Sequence, residues 1–97
     1  MSIFGNPKPS PERVTNGRFE LERDGAVAYL EYSVTDKVLA LIHTEVPEAL
    51  RGQGIGSWLI EHALHWAREH HLKVDVICPI VQEYISKHPE YSDLVLR

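Results

Sequence analysis

The sequence predicts a small α/β (α+β) fold: an antiparallel meander of three strands, then a helix, a parallel fourth strand and a C-terminal helix. Three observations predict it. Short β-patterned runs fill the first half of the chain, separated by two- and three-residue polar turns. A glycine-rich loop then opens onto a run of helical period. A β-branched stretch and a second helical run follow. The chain has 97 residues, 43% of them hydrophobic, which suits one domain with a limited core.

In chain order, residues 1–17 carry Pro7, Pro9 and Pro11 among polar side chains and read as a flexible leader, leaving 18–97 as the folded domain. Three strand runs follow, Arg18 to Arg23, Ala26 to Val34 and Val38 to Val46, broken by Asp24-Gly25 and Thr35-Asp36-Lys37. Phe19 and Leu21 alternate with Glu20 and Glu22, so one face of the first run turns inward. The second run is apolar on both faces and should lie centrally. Strict alternation puts Leu39, Leu41, His43 and Glu45 on one side of the third run, and Val38, Ala40, Ile42, Thr44 and Val46 on the other. Pro47 ends its pairing.

From Ile55 to about His70 the set Ile55, Leu59, Ile60, Ala63, Leu64, Trp66 and Ala67 keeps helical spacing and predicts one amphipathic helix. Lys73 to Ile77 reads as a short buried strand, and Cys78-Pro79 turns the chain into a helix near Ile80 to Lys87. His88-Pro89 stops that helix. A helix between two strands of one sheet makes the third and fourth strands parallel neighbours.

Composition removes several function classes. A net charge of −4 argues against nucleic acid as partner, because phosphate backbones are met by basic faces. No segment approaches the roughly 18 apolar residues of a membrane span, and the N-terminus lacks the apolar core of a signal peptide. Cys78 is the single cysteine, so no internal disulfide forms. The expected location is cytoplasmic, with no membrane partner.

The loop Arg51-Gly52-Gln53-Gly54-Ile55-Gly56 carries three glycines in five positions and leads into the predicted helix at Ser57. Glycines let the backbone approach a ligand closely, and a helix start offers unpaired N–H groups and a positive dipole end. The pattern predicts an anion cradle suited to a diphosphate. It is neither a dinucleotide fingerprint, which needs G-x-G-x-x-G after a first strand, nor a P-loop, which needs Gly-Lys-Ser/Thr.

Arg51, Gly54 and Gly56 match the R/Q-x-x-G-x-G/A signature of the GNAT superfamily of acyl-CoA-dependent N-acyltransferases. The phrase from His43 to Ser57 is similar to a small single-domain branch of that superfamily which also carries a cysteine after the next strand. Cys78-Pro-Ile-Val, Tyr84-Ile and His88-Pro-Glu-Tyr91 resemble it further, so the likeness covers most of residues 18 to 95. It implies an acetyl-CoA-dependent N-acetyltransferase with a GNAT-like acetyltransferase domain over 18–97. Backbone amides around Gly52, Gln53, Gly54, Ile55, Gly56 and Ser57, with Arg51, would hold the pyrophosphate of acetyl-CoA or coenzyme A. Main-chain groups at Thr44 and Val46 would meet the pantetheine arm, and Tyr84 would touch the cofactor.

The resemblance places Cys78 at the reactive end of the cofactor. A thiolate there, favoured by the helix start after Pro79, accepts an acyl group before an amine does; the other reading of a lone cysteine is a packed small hydrophobe. His43 is the leading candidate base because an imidazole titrates near neutrality, and Glu45 is the alternative; each also reads as an ordinary hydrogen-bonded or solvated side chain. His62, His65, His70 and His71 lack the carboxylate or cysteine partners of a metal site, so no metal is expected. Trp58 and Trp66 read as packing residues.

Larger superfamily members place helices between their first two strands to shape an acceptor pocket, where this chain has Asp24-Gly25. That leaves the amine acceptor unidentified and suits a large one, such as a protein lysine or N-terminus, or completion by a partner subunit. It also keeps a second class open, a non-catalytic CoA-binding or acyl-sensing module. Oligomeric state is not legible in the sequence.

Overall fold

A computed structural model describes residues 2–4 and 15–96. One sheet of five strands runs in sequence order: β1 (Ser2–Phe4), β2 (Thr15–Arg23), β3 (Ala26–Thr35), β4 (Val38–Glu45) and β5 (Lys73–Val76). The helices are α1 (Ile55–Glu69) and α2 (Pro79–Lys87). The first four strands pair antiparallel and β5 pairs parallel to β4, from Val38 opposite Lys73 to Leu41 opposite Val76. The meander, the crossover helix and the parallel fourth strand of the meander's sheet follow the sequence reading.

Two differences appear at the start of the chain. Residues 2–4 add an edge strand on β2, and β2 begins at Thr15 rather than Arg18. Residues 1 and 5–14 of the leader read from sequence lie outside the described residues. Asp24 and Gly25, with φ of 54° and 79°, make the two-residue β2–β3 turn, and Asp36 and Lys37 make the β3–β4 turn with φ of 48° and 64°.

Phe19, Leu21, Ala28, Leu30, Val34, Leu39, Leu41 and Val74 are fully buried on one sheet face. Both helices lie on that face. The buried residues of α1 are Ile55, Leu59, Ile60, Ala63, Leu64, Trp66 and Ala67, the set picked out by helical period. Each large aliphatic side chain so buried contributes roughly 1.5–3 kcal/mol. Val81 and Ile85 of α2 complete the same core.

Past α1, Leu72 N–H reaches Ala67 C=O at 2.8 Å and His71 N–H reaches Arg68 C=O at 3.3 Å, a Schellman closure with His71 left-handed at φ 57°. Past α2, a 3-10 segment (Pro89–Leu94) is fastened by Arg68 to Asp93 at 2.9 and 3.0 Å and by Lys73 Nζ to the Asp93 carbonyl at 2.8 Å. Val95 then bridges to Val74, which covers the free edge of β5.

One sequence expectation is corrected within β4. Glu31 faces His43 while the next residue, Tyr32, faces Leu41, so Ile42 is an unpaired bulge residue. An extra residue reverses the alternation beyond it. His43 and Glu45 therefore share a face with each other but not with buried Leu39 and Leu41; they are exposed, and Thr44 turns to the helix side and is 7% exposed.

Candidate functional site

The parallel pairing of β4 with β5 stops early. Leu41 C=O accepts from both Ile77 N–H at 3.1 Å and Cys78 N–H at 3.0 Å, which ends the ladder and swings the chain into α2. β4 continues to Glu45 without a β5 partner, so the two strands part there. The gap has Thr44 and Cys78 on its helix side, and His43 and Glu45 on the opposite face.

Cys78 is 2% exposed and caps α2, with Pro79 as the first helical residue. Thr44 Oγ1 lies 3.5 Å from its Sγ. Burial pushes the thiol up, but donation from the Thr44 hydroxyl and from the amides of Val81, Ile80 and Thr44 outweighs it, so the group sits below the ordinary thiol range. Such donors stabilise a thiolate. The family resemblance implies only a main-chain role for Thr44; its hydroxyl faces Cys78 because of the bulge at Ile42, which an all-apolar stretch does not announce.

On the other face His43 Nε2 donates to Glu45 Oε1 at 3.2 Å. A carboxylate only accepts, so this bond assigns the proton to Nε2 and leaves Nδ1 as the basic ring position. The His43 ring also neighbours Tyr29, with centroids 6.1 Å apart, and the Arg18 guanidinium stands 4.1 Å above the Tyr29 ring. The structure thus joins His43 to Glu45 and Cys78 to Thr44, as two pairs on opposite faces of one strand.

The glycine loop follows a 3-10 turn (Glu48–Leu50) whose end Arg51 holds by donating Nε to Val46 C=O at 3.1 Å. Gly52 and Gly54 adopt φ of 81° and 73°, and a Cβ at either would meet nothing within 4 Å, pointing into open space. A Cβ at Gly56 would only touch Val46 at 3.7 Å. The left-handed backbone favours glycine at 52 and 54, and the space beside all three lets a ligand approach the main chain closely. The Gln53 side chain donates from Nε2 to Ala49 C=O at 3.5 Å and accepts from Arg23 at Oε1.

Gly54 is the N-cap of α1, and the first intrahelical bond runs from Trp58 N–H to its carbonyl at 3.0 Å. The amides of Ile55, Gly56 and Ser57 come before that bond and are available. The Ile55 side chain is buried, so it contributes only its amide. This is the donor set an anionic diphosphate accepts.

A cleft of about 400 Å³ joins the loop and the start of α1 to one face of α2. Ile80, Glu83, Tyr84 and Lys87 form the α2 wall, with His88 just beyond. Their spacing is i, i+3, i+4, i+7, so helical period extends the contact that the resemblance implies for Tyr84 to the other three. The Tyr84 hydroxyl, desolvated and beside Glu61 at 3.4 Å, is pushed up to about 12, so it stays protonated. Among the described residues no three His, Cys, Asp or Glu side chains gather as a metal site, and no helix is long and apolar enough to cross a membrane.

Comparison with known proteins gives a family and a fold. A family model described as GCN5-related N-acetyl-transferase matches residues 18–94. Protein NATD1 of Gallus gallus is 41% identical over 66 residues, covering 68% of this chain and 59% of the relative. Its counterpart in Danio rerio is 37% identical over 81 residues, covering 81% of this chain and 73% of the relative. The chain spans 59% of the length of the Gallus gallus relative, less than two thirds of it. The NMR solution structure of a GCN5-like protein from Staphylococcus aureus superposes with a TM-score of 0.67 at 29% identity, covering 90% of each chain.

Proposed function

The chain belongs to the GCN5-related N-acetyltransferase family, and from that premise we propose that it is an acetyl-CoA-dependent N-acetyltransferase acting on an amine. The observation that carries this is the parting of β4 and β5 at Leu41 beside the glycine cradle. Exposed strand edge and helix-start amides together suit a ligand that is amide-bearing at one end and diphosphate at the other. Acetyl-CoA supplies an activated thioester.

The chain's own groups offer two routes. In direct transfer, His43 at Nδ1, or Glu45, removes a proton from the acceptor ammonium so that the amine attacks the thioester carbonyl, the C–N bond forms and the C–S bond breaks as the CoA thiolate leaves. In covalent transfer, the Cys78 thiolate takes the acetyl group as the CoA thiolate leaves, and the amine then takes it from Cys78 and restores the thiolate. The donors around Cys78 favour the covalent route. Incubation with acetyl-CoA followed by intact-protein mass separates the two: an acetyl adduct lost in Cys78→Ala supports it. No adduct on wild type together with full turnover by Cys78→Ala leaves only direct transfer, and a loss of about 10²-fold or more in rate on His43→Ala or on Glu45→Ala then identifies the base.

A second reading is a CoA-binding or acyl-sensing module. It is favoured by the two-residue turn Asp24-Gly25, which gives β2, β3 and β4 no helix over their outer face among the described residues. Acetyl-CoA binding by calorimetry, without transfer to a broad panel of amines and N-terminal peptides, supports the module over the enzyme. The acceptor's identity, a protein or a small amine, is the remaining part of the proposal.

A further inference from the structure

The α2 wall of the cleft carries features that the cradle does not use. Tyr84 and His88 stack with ring centroids 4.2 Å apart and planes 22° apart. Lys87 lies between them in sequence and lines the same cleft, where it is paired with Glu83 at 3.1 Å. That pair is solvent-exposed, each side chain at 70%, so it is worth little to the fold and is free to exchange partners.

Direction along α2 adds a second argument. Cys78 caps the helix and Lys87 is its last residue, nine positions later, so about 14 Å of helix axis separates them. A ligand whose thiol end sits by Cys78 and whose diphosphate sits on α1 therefore carries its nucleotide end toward Tyr84, Lys87 and His88. Coenzyme A has a further dianionic group at that end, a 3′-phosphate on its ribose, next to a planar base. An ammonium beside a two-ring stack matches both.

Resting on the CoA reading above, we propose that Lys87, with the Tyr84–His88 stack, is the docking site for the 3′-phosphorylated nucleotide end of the cofactor, and that Glu83 competes with the phosphate for Lys87. The site selects coenzyme A over its dephospho form. Glu83 lowers the occupancy of the Lys87 contact, since the ammonium must leave one anion to meet the other.

Calorimetry with coenzyme A and dephospho-coenzyme A on the full chain tests this without any need for turnover. Wild type binds coenzyme A about fivefold more tightly, the equivalent of one exposed charge pair. Lys87→Gln abolishes the difference by weakening coenzyme A alone, Lys87→Arg keeps it, and Glu83→Gln widens it. Equal affinity of wild type for the two ligands, or equal weakening of both by Lys87→Gln, overturns the assignment while leaving the CoA reading intact. Binding of neither ligand by wild type removes both.

Discussion

Thr44 Oγ1 stands 3.5 Å from Cys78 Sγ, and the contact exists because one unpaired residue, Ile42, reverses the facing of β4 just before Thr44. The thiol is lowered against the effect of burial by this hydroxyl and by three amides. A lowered thiol is ionised at a lower pH than an ordinary cysteine, so alkylation by iodoacetamide rises with pH through a midpoint below that of a model thiol. Thr44→Val keeps the shape and removes one donor to the thiolate. Its midpoint moves up and its alkylation at neutral pH slows; an unchanged midpoint would mean that the hydroxyl is a packing group only.

Gly54 in the cradle and Gly25 in the β2–β3 turn are matched in backbone geometry. Both have strongly positive φ, 73° and 79°, and a Cβ on either meets nothing within 4 Å. Alanine at each site costs about 1–2 kcal/mol of stability from the left-handed backbone alone. Only Gly54 lines the cleft. Gly54→Ala should lose tenfold or more in coenzyme A affinity, an estimate of about 1.4 kcal/mol or more, while Gly25→Ala binds as wild type does. Similar affinities for the two variants would place the diphosphate elsewhere.

Much of this site is legible in the sequence where one pattern dominates. The apolar period of α1, the glycine loop ahead of it and the parallel pairing of the flanking strands all follow from spacing and chain order. What escapes the pattern has a physical reason in each case. Ile42 continues an apolar run, so nothing in residue type marks it as the bulge that sends His43 out and Thr44 in. Ser2–Phe4 is too short to show a period, and its pairing with β2 is a tertiary fact. Lys87 and Glu83 are an exposed i, i+4 pair with no motif around them, and only the cleft puts them opposite the glycine loop.

Gly17 shows how closely β2 packs on β3. It faces Tyr32 across the strand pair, and a Cβ there would lie 2.5 Å from Tyr32 Oη and 2.8 Å from its Cζ. Tyr32 is 3% exposed and packs on Phe19 with centroids 5.0 Å apart, so the ring has little room to retreat. Gly17→Ala should destabilise by about 1–3 kcal/mol through overpacking. Thermal denaturation checks it, and the cost should shrink in a Tyr32→Leu background, where the ring is gone. An additive double mutant would show that the strain lies in the backbone.

His71 offers the opposite sign. It sits at the C′ position of α1 with φ 57°, the left-handed geometry that the Schellman closure demands of whichever residue follows the cap. A side chain with a Cβ pays roughly 1–2 kcal/mol there, and glycine removes that cost while adding freedom to the unfolded chain. The net gain for His71→Gly is about 0.5–1 kcal/mol, equivalent to a rise of several degrees in Tm for a domain of this size. His71→Ala keeps the strained φ and gains nothing, so the contrast between the two variants isolates the backbone effect from loss of the imidazole. Because His71 is exposed and does not line the glycine-loop cleft, coenzyme A affinity should stay constant in both. A Tm for His71→Gly at or below that of His71→Ala would mean that the unfolded-state entropy of glycine outweighs the relief of strain at this helix end.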